Sequence, residues 1–405
     1  MNNKVISIIN NDALISKNNF QFKSLSDWSY NISLGCLHGC SFCYVPSTSA
    51  IKQETLLERH PGLIPEEWIS ERKAGKHWGD HHWGEYSLLR TWDSVEFRAS
   101  LRRAQKAKDD GKLSPDGNAA IMFCTTTDPY QTMSIPGNPA MTQLMQDRRR
   151  GLVRHALEII LHESDLNVRI LTRSPLAEQD FDLYRQFGPR LLFGMSIPTL
   201  DAGLSDIYEP GAPGPQAKLR TLQRAADAGI PVYVALAPTL PDEGEAELRR
   251  TIQTLEAFNP VTIFHEPINL RAENVARIEA KAQELGRTIN SAVFQSREAW
   301  REYAFNQFAL VDKLARELNL PEGVLHQWPD KTLASRQGFM RMKAMQAERD
   351  LGSSFSTQLR NAASDEWSTS VLPWLQYWHN PKERVSSWPS SDGRQNHQIH
   401  QHNSV

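Results

Sequence analysis

The stretch NISLGCLHGCSFCYVP, residues 31–46, places three of the chain's four cysteines within eight positions. Disulfide pairing does not explain this crowding, because three is an odd number and Cys124 is the one cysteine that remains. Closely spaced thiols of this kind more often bind a metal centre together. We therefore expect Cys36, Cys40 and Cys43 to bind one common group.

The spacing of the three cysteines favours an iron–sulfur cluster over zinc. A structural zinc site requires four ligands, and His38 would have to supply the fourth from inside the same short loop. A cubane [4Fe-4S] cluster matches three thiolates better, because its fourth iron then remains open to an outside ligand. A zinc-stapled binding protein without catalytic activity remains the alternative.

Composition limits the partners and the location that we expect. The 405-residue chain carries 45 basic and 47 acidic side chains, a net charge of −2 that lacks the footprint of a dedicated nucleic-acid binder. The first twenty residues have no apolar core of a signal peptide, and no apolar run is long enough to span a bilayer. We expect a cytoplasmic protein with no membrane partner, since a reducing compartment keeps clustered thiols free for metal.

Short apolar runs alternate with longer amphipathic segments along the chain. Uninterrupted apolar runs of this length are typical of parallel strands that are buried on both faces. The predicted strands are residues 28–34, 119–125, 167–173, 191–197, 232–238 and 260–266, and the predicted helices include 141–163, 178–187, 215–228 and 243–257. Six βα units in a row predict a parallel α/β fold, in which ligands bind at the carboxyl ends of the strands. The cysteine segment follows the first strand and so lies at that end.

The chain divides into three regions. Residues 1–285 form the predicted α/β core, interrupted by an insertion at 50–118. Residues 286–380 are predicted to be a helical extension rich in tryptophan. Residues 381–405 are polar and poor in apolar side chains, and we expect them to be a disordered tail.

The motif CLHGCSFC, residues 36–43, resembles the signature of the radical S-adenosylmethionine (SAM) superfamily. That resemblance implies a partial (β/α)6 barrel, which agrees with the six units counted above. It also implies that the open iron of a [4Fe-4S] cluster binds SAM, which is cleaved reductively to a 5′-deoxyadenosyl radical that abstracts hydrogen from substrate. An electron donor such as flavodoxin or ferredoxin is then expected.

A narrower resemblance covers roughly residues 28–270. TTTDPYQ (125–131), ILTRS (170–174) and YEPGAPGPQAKLRTLQRAADAGIPVYVALAP (208–238) resemble, in shared order, the branch of spore photoproduct lyase and DNA-repair-photolyase-like proteins. This implies a DNA lesion as substrate, with a small metabolite or peptide as the alternative. If the substrate is DNA, we predict salt-sensitive binding through basic residues near Arg90, Arg98, Arg102 and Arg103.

The resemblance also suggests the residues that bind SAM. Tyr44 is expected near the adenine, Thr127 and Asp128 near the amino group of the methionine part, and Arg173 near its carboxylate. Ser196 corresponds to a serine that contacts SAM in the lyase. Ordinary loop packing for Tyr44, helix or turn capping for Thr127 and Asp128, and a plain strand-end role for Ser196 remain the alternatives.

Four further features lie outside the predicted set of SAM-binding residues. Cys124 corresponds approximately to a cysteine that returns hydrogen to the product radical in the lyase, but a buried cysteine is also an ordinary small apolar side chain. Glu209 is expected to order its loop, and Lys218 stands where the lyase-like pattern has arginine. The histidines of HHWGEY, residues 81–86, are interpreted as surface side chains, so we predict no second metal.

Overall fold

The computed structural model describes residues 4–18, 26–48, 60–71, 77–113, 118–271, 273–321, 324–327, 330 and 333. The strands are β1 (Val5–Asp12), β2 (Ile15–Lys17), β3 (Trp28–Tyr30), β4 (Ser33–Leu34), β5 (Tyr86–Thr91), β6 (Ala120–Phe123), β7 (Asn167–Thr172), β8 (Leu191–Ser196), β9 (Val232–Thr239), β10 (Ile263–Pro267) and β11 (Leu325–Gln327). The helices are α1 (Glu66–Glu71), α2 (Trp78–His81), α3 (Ser94–Asp109), α4 (Pro139–Glu163), α5 (Phe181–Phe187), α6 (Ala202–Tyr208), α7 (Pro215–Asp227), α8 (Glu245–Glu256), α9 (Asn274–Glu284) and α10 (Arg297–Glu317).

One large sheet forms the centre of the molecule. Its strand order is β11-β10-β9-β8-β7-β6-β3-β2, and every pairing is parallel except that of the edge strand β2 with β3. The six predicted strands appear in it as β3 and β6 to β10, and helices follow β6 to β10 in the chain. The predicted α/β fold, a partial barrel of parallel strands, is therefore confirmed.

Burial explains why these elements form. All six residues of β8 are buried, as are all five of β10, so both strands face packed layers on both sides, although β10 includes the polar His265 and Glu266. The covering helices bury one stripe each, and Leu248, Ile252 and Leu255 at helical spacing are the buried apolar residues of α8. Burying one such leucine contributes about 1.5–3 kcal/mol.

The structure corrects two details of the prediction. The predicted strand 28–34 divides into β3, which belongs to the main sheet, and β4, which pairs antiparallel with β5. β5 comes from the predicted insertion and also pairs parallel with β1, giving a separate three-stranded sheet. β1 shows no continuous apolar run because seven of its eight residues are only partly buried or exposed.

The predicted C-terminal extension begins with a helix and then adds a strand. α10 buries Trp300, Tyr303 and Phe308, and β11 extends the main sheet beyond β10. Residues 334–405, including the predicted tail at 381–405, lie outside the described residues. Within the part of the chain that is described, no helix combines the length and apolar character needed to cross a bilayer.

Candidate active site

The loop that carries the three cysteines, residues 35–44 and here called the cysteine loop, is a tight series of turns. The amide of Gly39 donates to the carbonyl of Cys36 at 3.2 Å, and the amide of Cys43 donates to the carbonyl of Cys40 at 3.0 Å. Gly39 has a φ of +54°, and a Cβ at this position would lie 2.9 Å from the Cα of Gly84. Only glycine fits this close approach between the cysteine loop and the predicted insertion.

Cys36, Cys40 and Cys43 all line one cavity of about 220 Å³ at the carboxyl ends of the central strands. All three thiols are free, and burial raises the pKa of each to about 12. A neutral thiol is a poor metal ligand, so a bound group must bring enough positive charge to stabilise the thiolates. The donor set fits an iron–sulfur cluster, since three soft ligands face the same space.

Distant segments hold the cysteine loop in place. The amide of Ser41 donates to the carbonyl of Tyr208 at 2.9 Å, and the amide of Gly211 donates to the carbonyl of His38 at 2.9 Å. Arg277 on α9 donates from Nη2 to the carbonyl of Cys43 at 2.6 Å. The contact of Gly211 gives the EPG segment, residues 209–211, a structural role, because it packs directly against the cysteine loop. Sequence reasoning missed Arg277, which has no recognisable motif around it.

Thr127 lines the cavity, but its hydroxyl is already engaged. It donates to the carbonyl of Gly35 at 2.6 Å and accepts from Nε2 of Gln131 at 2.8 Å. Oε1 of the same glutamine accepts from the amide of Leu37 at 2.7 Å. Thr127 and Gln131 therefore position the cysteine loop from the end of β6.

Asp128 is buried and saturated with hydrogen bonds. Its oxygens accept from Oγ1 of Thr172 at 2.7 Å, the amide of Arg173 at 2.8 Å and the amide of Tyr130 at 2.8 Å, and Nδ1 of His38 lies 3.3 Å away. Burial alone would raise the pKa of Asp128, but His38 and these hydrogen bonds outweigh it and lower the pKa to about 2. The ionised carboxylate thus joins β6, β7 and the cysteine loop, and its bond from the amide of Tyr130 is the local contact that a turn-capping role would give.

Arg173 lines the cavity and forms a group of three charged side chains with Glu209 and Lys218. Its Nε donates to Oε1 of Glu209 at 2.5 Å, and its guanidinium lies 5.5 Å from the ring centre of Phe42. The other oxygen of Glu209 accepts from Nζ of Lys218, and both of these side chains are 1% exposed. Glu209 therefore orders its loop, as predicted, and fixes the guanidinium of Arg173 at the cavity wall.

Five buried polar atoms of cavity-lining residues make no hydrogen bond to the described residues, although one of them, Nδ1 of His38, approaches Asp128 at 3.3 Å. They are Nδ1 and Nε2 of His38, Nε1 of Trp83, Oγ of Ser196 at the end of β8, and Oδ1 of Asn269, which follows β10. A buried polar atom without a partner costs free energy, so such atoms in a cavity wall are suited to a polar ligand. Ser196 was predicted from the resemblance, whereas Asn269 has no sequence signal.

Aromatic side chains form part of the same cavity. Tyr44 lines it, and the guanidinium of Arg271 lies 5.6 Å from the centre of the tyrosine ring. Trp83 reaches the cavity from the predicted insertion, a role that the sequence did not reveal. The cavity thus combines apolar and aromatic lining with a few polar groups, as is usual for sites that bind small molecules.

Cys124 lies at the end of β6 and lines the cavity with the three loop cysteines. Its φ of +61° is rare for a residue that carries a side chain, and its amide donates to the carbonyl of Tyr30 at 2.8 Å. Burial raises the pKa of its thiol well above the usual range, so the thiol keeps its hydrogen.

The arginines predicted to bind DNA lie elsewhere. None of the four lines the cavity. Arg98 on α3 pairs with Glu163 on α4, with Nε 2.7 Å from Oε1, which neutralises its charge. Arg90 belongs to β5 in the small sheet. DNA binding through these side chains stays a prediction.

Comparison with known proteins identifies the fold. Spore photoproduct lyase complexed with dinucleoside spore photoproduct matches with a TM-score of 0.52 and 12% identity over 80% of this chain and 81% of that chain. A doubly substituted mutant of the lyase with bound AdoMet and dinucleoside spore photoproduct gives 0.51 and 13% over 80% and 81% of the two chains. The uncharacterized protein ORF301 of Acidianus two-tailed virus is 27% identical over 268 residues, 64% of this chain and 73% of that protein. No protein-family model matches the chain. The predicted likeness to the lyase branch is confirmed at the level of the fold.

Proposed function

We propose that this protein is a radical SAM enzyme that acts on a nucleic-acid lesion of the dinucleoside photoproduct type. The observation that carries the proposal is the convergence of Cys36, Cys40 and Cys43 on one polar-walled cavity. The cavity lies at the carboxyl ends of a parallel sheet whose fold is that of spore photoproduct lyase. The three thiolates hold a [4Fe-4S] cluster there.

The bound cluster supplies the electron that cleaves a C–S bond of SAM. Around it, the protein binds and orients: Arg173 attracts the carboxylate of SAM, and its fixed position follows from the pairing with Glu209. Ser196 offers its Oγ and Asn269 its Oδ1, two buried oxygens that make no hydrogen bond among the described residues. Tyr44 offers an aromatic face to the adenine. Thr127 and Asp128 position the site without binding SAM themselves, because their polar atoms already hydrogen-bond to the cysteine loop and β7.

Cys124 is the proposed hydrogen donor to the product. It lines the same cavity as the loop cysteines, and its raised pKa keeps the S–H bond intact near neutral pH. A carbon radical on the substrate takes the hydrogen atom together with one electron of the S–H bond. Cys124 then keeps an unpaired electron, and one electron from the reductant together with one proton from solvent restores its S–H bond.

The test uses a dinucleoside photoproduct labelled with deuterium at the carbon that loses hydrogen. Anaerobic protein with SAM and a reductant should move deuterium into 5′-deoxyadenosine and release the repaired dinucleoside, both measured by mass spectrometry. SAM cleavage without deuterium transfer would disprove the lesion substrate. The same assay with labelled cell extract would then identify a metabolite or a peptide.

A further inference from the structure

The histidines of the HHWGEY segment lie next to a glutamate from another helix. His81 and His82 at the end of α2 come together with Glu71 at the end of α1, although residues 72–76 between the helices are not described. One ligand atom from each of the three residues lies within 4.8 Å of the other two. The three side chains are partly exposed, so an ion from solution can reach them.

The distances suit a tetrahedral metal ion. Oε2 of Glu71 lies 3.0 Å from Nε2 of His82 and 3.9 Å from Nε2 of His81. Ligands about 2.0–2.1 Å from a tetrahedral zinc ion are about 3.3 Å apart, between these two values. The His81 side chain is 38% exposed, so solvent leaves its ring room to turn toward the other two ligands.

The surroundings of His82 are those of a metal ligand. Its Nδ1 lies 2.7 Å from Oε2 of Glu85, which leaves Nε2 facing Glu71. Metal-bound histidines usually donate their other ring nitrogen to a carboxylate in this way, which fixes the tautomer and the ring orientation. The ring also stacks on Trp68, with centroids 3.9 Å apart and planes 6° from parallel.

From these contacts we propose a second metal site, a Zn²⁺ ion bound by Glu71, His81 and His82, with water as the fourth ligand and Glu85 as the positioning carboxylate. Two histidines and one glutamate form an established zinc ligand set. Imidazole nitrogen is also among the ligands that suit zinc.

The proposed zinc ion would stabilise the part of the cavity wall that the insertion supplies. Trp83, which lines the cavity, and Gly84, which contacts Gly39 of the cysteine loop, directly follow His82. The preceding Asp80 pairs with Arg277, the side chain that also holds the cysteine loop. An ion that joins α1 to α2 therefore fixes the insertion at the point where it meets the cysteine loop, although its water ligand makes it an open site and not a closed four-ligand structural one.

The test is a competition titration of Zn²⁺ against a chromophoric chelator. The anaerobic holoprotein is first treated with a chelator, so that the site is empty at the start. Wild-type protein and the control His162→Ala, which removes an exposed histidine on α4, should bind one tight equivalent. Glu71→Gln and His81→Ala should lose it, and Glu85→Gln should weaken it by about 10–100-fold. Circular dichroism verifies that each variant is folded.

Cobalt distinguishes this site from the cysteines. Co²⁺ should give visible d–d bands without a thiolate-to-cobalt charge-transfer band, since all ligands are nitrogen or oxygen. Zn²⁺ should also raise the unfolding temperature of the wild type but not that of His81→Ala. Absence of a tight equivalent, unchanged affinity in His81→Ala, or a thiolate charge-transfer band would each overturn the proposal.

Discussion

Replacement of Glu209 by glutamine should destabilise the protein by about 3 kcal/mol. Glu209 and Lys218 are each 1% exposed, whereas Arg173 is 20% exposed. Removing one partner of a buried ion pair costs about 3–5 kcal/mol, because the other charge stays buried without compensation. Glutamine keeps one acceptor oxygen and the volume, and Arg173 is partly solvated, so the lower end of that range applies.

The charge argument also predicts how a second substitution behaves. Lys218→Met removes the buried ammonium but leaves Glu209 paired with Arg173, so it should cost about 1 kcal/mol or less. The double variant should be more stable than Glu209→Gln alone, because no unpaired ammonium remains. Urea denaturation followed by circular dichroism measures each difference.

Glu256→Gln provides the matched control, since Glu256 is an exposed glutamate at the end of α8 and should change stability by less than about 0.5 kcal/mol. If Glu209→Gln also stays within that limit, or if Lys218→Met fails to rescue it, the reasoning from buried charge is refuted.

Three further predictions address other parts of the molecule. Cys124→Ala should retain SAM cleavage but divert the repair product to misquenched species in product analysis, and an unchanged product pattern would restore its interpretation as a packed apolar residue. Burial lowers the pKa of His265 to about 4 from 6.5, so the folded state favours the neutral ring while the unfolded chain binds a proton below pH 6.5. Stability from this group is thus complete above pH 6.5 and is lost as the pH falls toward 4. Urea denaturation should show a loss of about 2 kcal/mol between about pH 7.5 and about pH 5 that His265→Asn lacks; an equal loss in that variant would contradict the assignment. Gly211→Ala would place a Cβ 2.4 Å from the carbonyl oxygen of Leu37 and should lower both the iron content and the unfolding midpoint, whereas Gly214→Ala, with open space around it, should change neither. Wild-type iron content in Gly211→Ala would show that this contact does not hold the cysteine loop.

The sequence predicts a strand correctly where consecutive apolar residues form one local run. β8 and β9 begin with runs of five or more consecutive apolar residues or glycine, which indicate buried parallel strands directly. β1 is mostly half-buried or exposed, and its parallel partner β5 lies about eighty residues away. No period in the sequence distinguishes such a strand from a loop, which is why the small sheet was missed.

The same distinction applies to the candidate site. The three loop cysteines lie within one short segment, so their spacing alone indicates a common ligand. Arg277 and Asn269 reach the site from more than two hundred residues away, where nothing in the local sequence marks them. The histidines at 81–82 meet Glu71 only through tertiary packing of α1 on α2, so nothing in the local sequence indicates this cluster, and the absence of a second metal stays a prediction that the zinc titration tests.

The central claim is that the cysteine loop holds a cluster that cleaves SAM. Its most direct test is to measure iron, sulfide and zinc in anaerobically reconstituted protein and then quantify 5′-deoxyadenosine and methionine after addition of SAM and reductant. The account predicts about four irons and four sulfides per chain, with equal amounts of the two products, and loss of both cluster and cleavage in Cys40→Ala. Zinc at the cysteines without iron and sulfide, or full cleavage by Cys40→Ala, would contradict it.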